Sequence, residues 1–216
     1  MIGPCQIKVC GITRAADAAA ALHLGADWLG INAWAGSPRF VDPPRRAALL
    51  REITEASRVA VTVNASTAEV LDLLREGFAA VQVHFDPAER LCEPAALSSA
   101  AGPDRLWLAP RLPAGAKFPE TLLPLASTFV HDAHRADAYG GTGLRGDWDR
   151  HVSLQSAHPD RRWILAGGLG PDNVAEAAAR GVKAIDLNSG VELAPGLKSV
   201  EKLHLVRELL RKNIQK

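Results

Sequence analysis

Five side chains of this sequence are of types that can do chemistry, and four of them stand where an apolar run breaks off or in the loop beyond one. Cys10 ends the run Gln6 to Cys10 in "KVCGITR". Asp132 ends Thr128 to Asp132 in "TFVHDAH". Asp186 sits inside "KAIDLN", where a buried strand is normally apolar. His84 ends "AAVQVH", and Arg39 lies in "GSPRFV" beyond the second run. A lone cysteine is most often a small buried hydrophobe. It becomes a nucleophile or a general base when positive charge or helix N-termini lower its pKa toward neutrality. An aspartate at the end of an apolar strand is costly unless hydrogen-bonded or used, and partial burial would let it hold and donate a proton. It can equally be a cap for a loop or helix. Asp186 can accept hydrogen bonds from ligand hydroxyls, or bind a neighbouring lysine or backbone N–H. A guanidinium such as Arg39 matches a carboxylate with two parallel bonds. His84 reads either as a polar contact or as a satisfied core histidine.

Three loops in the second half are rich in glycine: "YGGTG" with Gly141, Thr142 and Gly143, "AGGLGPDN" with Gly167 and Gly168, and "NSGVE" with Ser189 and Gly190. Glycine lets backbone N–H groups approach an anion closely, so such loops can hold a phosphate without a lysine cluster. The alternative is that they are only tight turns. No G-x-x-x-x-G-K-[ST] P-loop occurs.

The elements that must position these residues alternate strictly. Strands are predicted at about 6–10, 28–32, 58–63, 79–84, 105–109, 128–132, 162–167 and 183–188. Helices are predicted at about 14–24, 43–56, 66–77, 88–100, 171–180 and 200–212, with "ETLLPLA" a short helix at best because Pro124 interrupts it. Thr13 is expected to cap the first helix. Near-continuous apolar strands separated by crossover helices are the pattern of a parallel sheet buried on both faces. Eight βα units without a linker predict an α/β fold, a single (β/α)8 TIM barrel spanning residues 1–216; an open doubly wound sheet is the alternative. In such a barrel, function sits at the C-terminal strand ends, where these residues fall, and the loops after strands seven and eight are a frequent phosphate site.

The totals agree. The chain has 216 residues, 47% of them hydrophobic, and 25 basic against 24 acidic residues leave a formal charge of +1. No net field attracts nucleic acid or an anionic membrane, so an anion must be bound locally. Three widely spaced cysteines (Cys5, Cys10 and Cys92) argue against a disulfide framework and fit a reducing cytoplasm. "MIGPCQIKVCG" lacks the pattern of a signal peptide, and no apolar segment approaches a membrane span. No ligand spacing for a metal is present.

"KVCGITR", "GADWLGIN…SPRFV", "VTVN", "VQVH", "HDAH…YGGTG…DW", "LAGGLGPDNV" and "DLNSGVE", in this order, resemble the phosphoribosylanthranilate isomerase family across essentially the whole chain. The resemblance implies a (β/α)8 barrel in tryptophan biosynthesis. The implied reaction is an Amadori rearrangement of N-(5′-phosphoribosyl)anthranilate to 1-(2-carboxyphenylamino)-1-deoxyribulose 5-phosphate. It implies Asp132 as general acid, Cys10 as general base and Arg39 as anchor of the anthranilate carboxylate. His84 and Asp186 are then substrate contacts, and Gly141, Thr142, Gly143, Gly167, Gly168, Ser189 and Gly190 bind phosphate. No cofactor is implied, and the partner is a small phosphorylated substrate, with the chain a monomer or homodimer. Asn32, Ala33, Phe85, Leu108 and Asn188 differ from the residues the family usually carries at the pocket wall. A related sugar-phosphate isomerase and a non-catalytic phosphometabolite-binding barrel are the alternative readings.

Overall fold

A computed structural model describes residues 5–113, 115–132 and 148–212. Eight parallel strands close into a barrel in the order β1 to β8. They are β1 (Gln6–Cys10), β2 (Trp28–Asn32), β3 (Arg58–Val63), β4 (Ala80–Phe85), β5 (Leu106–Pro110), β6 (Thr128–His131), β7 (Arg162–Leu165) and β8 (Ala184–Leu187). The helices are α1 (Ala15–Leu24), α2 (Pro43–Arg51), α3 (Thr67–Arg75), α4 (Pro94–Ala101), α5 (Trp148–Ala157), α6 (Val174–Ala179) and α7 (Val200–Lys212). After β8 the chain adds a small antiparallel hairpin of β9 (Glu192–Ala194) and β10 (Leu197–Lys198). Closure rather than an open sheet follows from the pairing of β1 with β8, which aligns Lys8 with Asp186.

Successive strand residues point to opposite faces, so each strand contributes to two cores. Residues such as Ile7, Val9, Leu29, Val83, Leu108 and Phe129 face outward and pack under the helices. Val59, Ala80, Trp107, Ala109, Val130, Ile164, Ala166 and Ala184 fill the barrel itself. This is why the strands read as continuous apolar runs: both faces are buried. The N-terminal end is closed by Arg162, which donates to Gln6 Oε1 and Thr128 Oγ1 and lies 4.9 Å over the Trp28 ring. The lower barrel is therefore filled, and the cavity that gathers the candidate residues opens toward the C-terminal strand ends.

Several predicted boundaries move for local reasons. The second helix stops at Arg51 rather than near Ala56, because Thr54 is extended and only a 3-10 turn, Glu55–Ser57, follows. The fourth begins at Pro94 rather than Ala88: a residue preceding proline is pushed out of the helical region, and Glu93 has φ −112 and ψ 81. "ETLLPL" forms a 3-10 helix with Pro124 inside it. Thr13 does not cap α1. Its hydroxyl donates to Gly196 O at 2.6 Å, and the N-cap is Arg14 with no side-chain cap bond. Helix α5 and the β9–β10 hairpin were not expected from the sequence.

Candidate active site

A cavity of about 400 Å³ opens at the C-terminal ends of the strands. It is lined by Cys10, Arg39, His84, Asp132, Gly167, Gly168, Asp186 and Ser189 among the residues read from the sequence. Gly141, Thr142 and Gly143 lie outside the described residues. Gly190 is not part of the lining. Its backbone is pressed against Leu169 and Gly170, and a Cβ at Gly170 would stand 2.7 Å from Gly190 O. The two glycine loops after β7 and β8 thus touch backbone to backbone, which no larger residue permits. Asn173 secures the first of them, accepting from Gly170 N and donating to Gly168 O, each at 3.0 Å.

The wall formed by β1 carries the charge. Gln6, Lys8 and Cys10 alternate inward with period two. Lys8 is wholly buried, and its Nζ donates to Asp186 Oδ2 at 2.7 Å. This settles one alternative for Asp186: it does bind a lysine. Its other oxygen, Oδ1, is buried and has no hydrogen-bond partner among the described residues. Burial raises the Asp186 pKa against the pull of Lys8. Burial alone would lower Lys8, but Asp186 and then Cys10 outweigh it, and Lys8 sits above its ordinary value as an ammonium. The Cys10 thiol is pushed up by burial, with Lys8 and Lys198 acting downward and Asp186 upward. Burial prevails, and the Cys10 pKa lies above its ordinary value. Lys8 was not singled out from the sequence. Its signal was a lysine centred in a strand buried on both faces, matched by an aspartate centred in the strand that closes on it.

Arg39 reaches the cavity from the loop after β2. Its Nε donates to Glu192 Oε1 at 2.9 Å and its Nη2 to Glu192 Oε2 at 2.6 Å. Glu192 also receives the buried Lys198 ammonium at 2.7 Å, and Lys198 reaches Asn188 Oδ1 at 3.1 Å. Burial opposes the Glu192 charge, yet Arg39 and Lys198 together keep its pKa below the ordinary value. Glu192 and Lys198, both from the β9–β10 hairpin, are functional candidates that sequence reading missed; only the "SGVE" loop hinted at the first. Gly11 makes room for Arg39. A Cβ there would lie 2.6 Å from Arg39 Cδ, and its φ of +73° favours glycine.

Gln82 Nε2 lies 2.8 Å from His84 Nε2, so His84 is a polar contact at the cavity edge rather than a core residue. Asp132 stands one residue beyond β6, on the far side of the barrel from β1. Trp34, Pro38, Val61 and Val63 form an apolar wall beside Arg39. The cavity therefore has an apolar side with a guanidinium, a glycine-loop side, and an acid and a thiol between them. That arrangement suits a molecule with a flat carboxylated ring at one end and a phosphate at the other. Among the described residues no group of three His, Cys, Asp or Glu could hold a metal ion, and no helix is long and apolar enough to cross a membrane.

Comparison with known proteins gives the same direction. The family profile described as "N-(5'phosphoribosyl)anthranilate (PRA) isomerase" matches residues 7–208. The N-(5'-phosphoribosyl)anthranilate isomerase of Citrifermentans bemidjiense is 37% identical over 209 residues, 92% of this chain and 93% of that protein. The crystal structure of phosphoribosyl anthranilate isomerase from Thermus thermophilus superposes with a TM-score of 0.78 at 32% identity, covering 96% of this chain and 98% of the other. A phosphoribosyl anthranilate isomerase crystallised with reduced 1-(o-carboxyphenylamino)-1-deoxyribulose 5-phosphate superposes with a TM-score of 0.67 at 25% identity, over 98% of both chains.

Proposed function

The chain belongs to the N-(5′-phosphoribosyl)anthranilate isomerase family, and from that premise we propose how its own residues carry out the Amadori rearrangement of tryptophan biosynthesis. N-(5′-phosphoribosyl)anthranilate enters with its carboxylate toward Arg39 and its ring against Trp34, Pro38 and Val61. The phosphate lies over the loops at Gly167, Gly168 and Ser189, with Gly141, Thr142 and Gly143 completing its site and Gly190 keeping the two described loops in contact. Asp132 gives a proton to the ribose ring oxygen, the ring opens, and the substrate nitrogen becomes the Schiff base. Cys10, as thiolate, then removes the proton from C2. The enolamine tautomerises to the ketone of 1-(2-carboxyphenylamino)-1-deoxyribulose 5-phosphate. Asp186 Oδ1 accepts from a ribose hydroxyl, and His84 contacts the ligand at the cavity edge. The substrate nitrogen is the electron sink, so the scheme draws on no cofactor. The chain works as a single barrel domain in the cytoplasm on a free phosphorylated substrate, as a monomer or a homodimer.

The observation that carries this reading is the convergence of Cys10, Asp132 and Arg39 on one cavity with the glycine loops. The test is turnover of the substrate followed by loss of anthranilate fluorescence. General acid or base removal typically costs about 10²–10⁴-fold in rate. Cys10→Ser and Asp132→Asn are therefore expected to lose activity by that order, with the fold retained by circular dichroism. Full rates in both variants, or no turnover by the wild type, would remove the assignment.

A further inference from the structure

We propose that Lys8 is a positioning residue whose ammonium, shared between Asp186 and the Cys10 sulfur, favours the Cys10 thiolate against the effect of burial. The inference rests on the reading of Cys10 as the base. Lys8 and Cys10 share the inward face of β1, and Gly30 of β2 is aligned with Cys10. A Cβ at Gly30 would stand 2.9 Å from Cys10 Sγ and 3.0 Å from Lys8 Nζ. The sulfur and the ammonium therefore lean into the same notch, which exists because residue 30 has no side chain. An ammonium has three N–H donors. One goes to Asp186 Oδ2, and the Cys10 sulfur borders the same notch as the ammonium.

The charge count points the same way. Among the described residues the charged groups acting on Cys10 are Lys8 and Asp186 beside it, Lys198 from the hairpin, and Arg39, itself held by Glu192. Lys8, Lys198 and Arg39 are three cations, and Asp186 and Glu192 are two carboxylates. Among the described residues the three cations thus outnumber the two carboxylates paired with them, while Asp132 stands elsewhere on the cavity wall. Asp17, which accepts from the Lys198 backbone, is already paired with Arg14. Burying an unbalanced charge is expensive, and an apolar side chain would fill the barrel without it. A lysine at this position accordingly has a use that packing does not supply. Burial acts on Cys10 in the opposite sense, so Lys8 is what keeps the thiolate within reach as substrate covers the site.

The test is the rate of Cys10 alkylation by iodoacetamide across pH, read by peptide mass mapping, in the wild type, Lys8→Met and Asp186→Asn. Alkylation follows the thiolate fraction. Lys8→Met is expected to slow it roughly tenfold or more near neutral pH, because the thiolate loses its cation. Asp186→Asn is expected to speed it, because Lys8 is left with the sulfur as its only anionic partner. Opposite signs from two substitutions in one ion pair are not what a structural role produces. If Lys8→Met does not fold, Asp186→Asn alone decides, and an unchanged or slower rate overturns the proposal. Cys5 and Cys92 serve as internal references, since burial pushes their thiols up to about 12 and about 11. Turnover of Cys10→Ser separates the two readings. Full activity there removes the base itself, whereas lost activity with unmoved alkylation rates removes only Lys8.

Discussion

Replacing Gly30 with alanine puts one carbon into the notch shared by Cys10 and Lys8. The backbone accepts the change, because Gly30 lies within a strand and is not among the glycines with positive φ. The cost is steric. The new Cβ would lie 2.9 Å from Cys10 Sγ, 3.0 Å from Lys8 Nζ and 3.1 Å from Cys10 Cα. Ordinary van der Waals separation is about 3.5–4.0 Å, so sulfur and carbon must move apart by roughly 0.6–1 Å, and the crowding of the Cys10 backbone means that β1 itself has to shift. Overpacking of this kind costs about 1–3 kcal/mol of stability. A displacement near 1 Å at a reacting atom costs about 10²-fold in rate, or roughly 2.7 kcal/mol of barrier. Gly30→Ala is therefore expected to lower kcat about 10²-fold with a modest change in KM, measured by anthranilate fluorescence loss, and to lower the urea midpoint. Gly102→Ala is the matched control. Gly102 has φ +83° and nothing within 4 Å of its Cβ position, so its change costs about 1 kcal/mol of strain and leaves kcat alone. A Gly30→Ala enzyme with kcat within about twofold of wild type would refute the placement of sulfur and ammonium in that notch.

Two further outcomes follow from neighbouring features. Gly11→Ala drives a Cβ against Arg39 Cδ and brings it to 2.8 Å from Asn188 Oδ1. It should raise KM more than tenfold (about 1.4 kcal/mol of binding) with a smaller effect on kcat, since the role proposed for Arg39 is binding; an unchanged KM counts against Arg39 as the carboxylate anchor. His151 is fully buried on α5, stacked 5.7 Å from His131, and burial lowers its pKa to about 3. Below pH about 6.5 the unfolded chain takes up a proton that the folded chain refuses. Stability should thus fall with falling pH, by about 1.4 kcal/mol per unit toward about 3, and His151→Phe should flatten that slope in denaturant titrations. A slope identical in the variant would exclude His151 as its source.

The strands were legible because each is buried on two faces, and continuous Val, Ile, Leu and Ala runs have no competing reading in a chain of this rhythm. Cys10, Arg39, His84, Asp132 and Asp186 were legible as candidates because strand ends in a barrel share one rim. The ion pairs were not. Lys8 and Asp186 are 178 positions apart, and only barrel closure brings them into register. Arg39 and Glu192 meet across 153 positions, through a hairpin whose strands have three and two residues and carry almost no periodic signal. Helix α5 was hidden for a different reason: "WDRHVSLQSA" mixes aromatic, charged and hydroxyl residues and has no clean apolar stripe, its buried positions being Trp148, His151 and Gln155. Thr13 was misread because a hydroxyl before a helix is ordinarily a cap, whereas here the Gly196 carbonyl arrives from the far end of the chain to accept its hydrogen bond.

Those long separations bear on how the molecule comes into being. A ribosome emits Lys8 and Arg39 early, and the carboxylates that neutralise them, Asp186 and Glu192, near the end. Until then a lysine destined for a dry interior has no counterion, and desolvating it is unfavourable. Pairings spanning so much chain also form slowly, since loop closure precedes any gain from them. The growing polypeptide can assemble helices against early strands, but the wall bearing the thiol cannot seal before the eighth strand and its hairpin arrive. A chain interrupted before them therefore lacks the strand that closes the barrel and the counterions of Lys8 and Arg39.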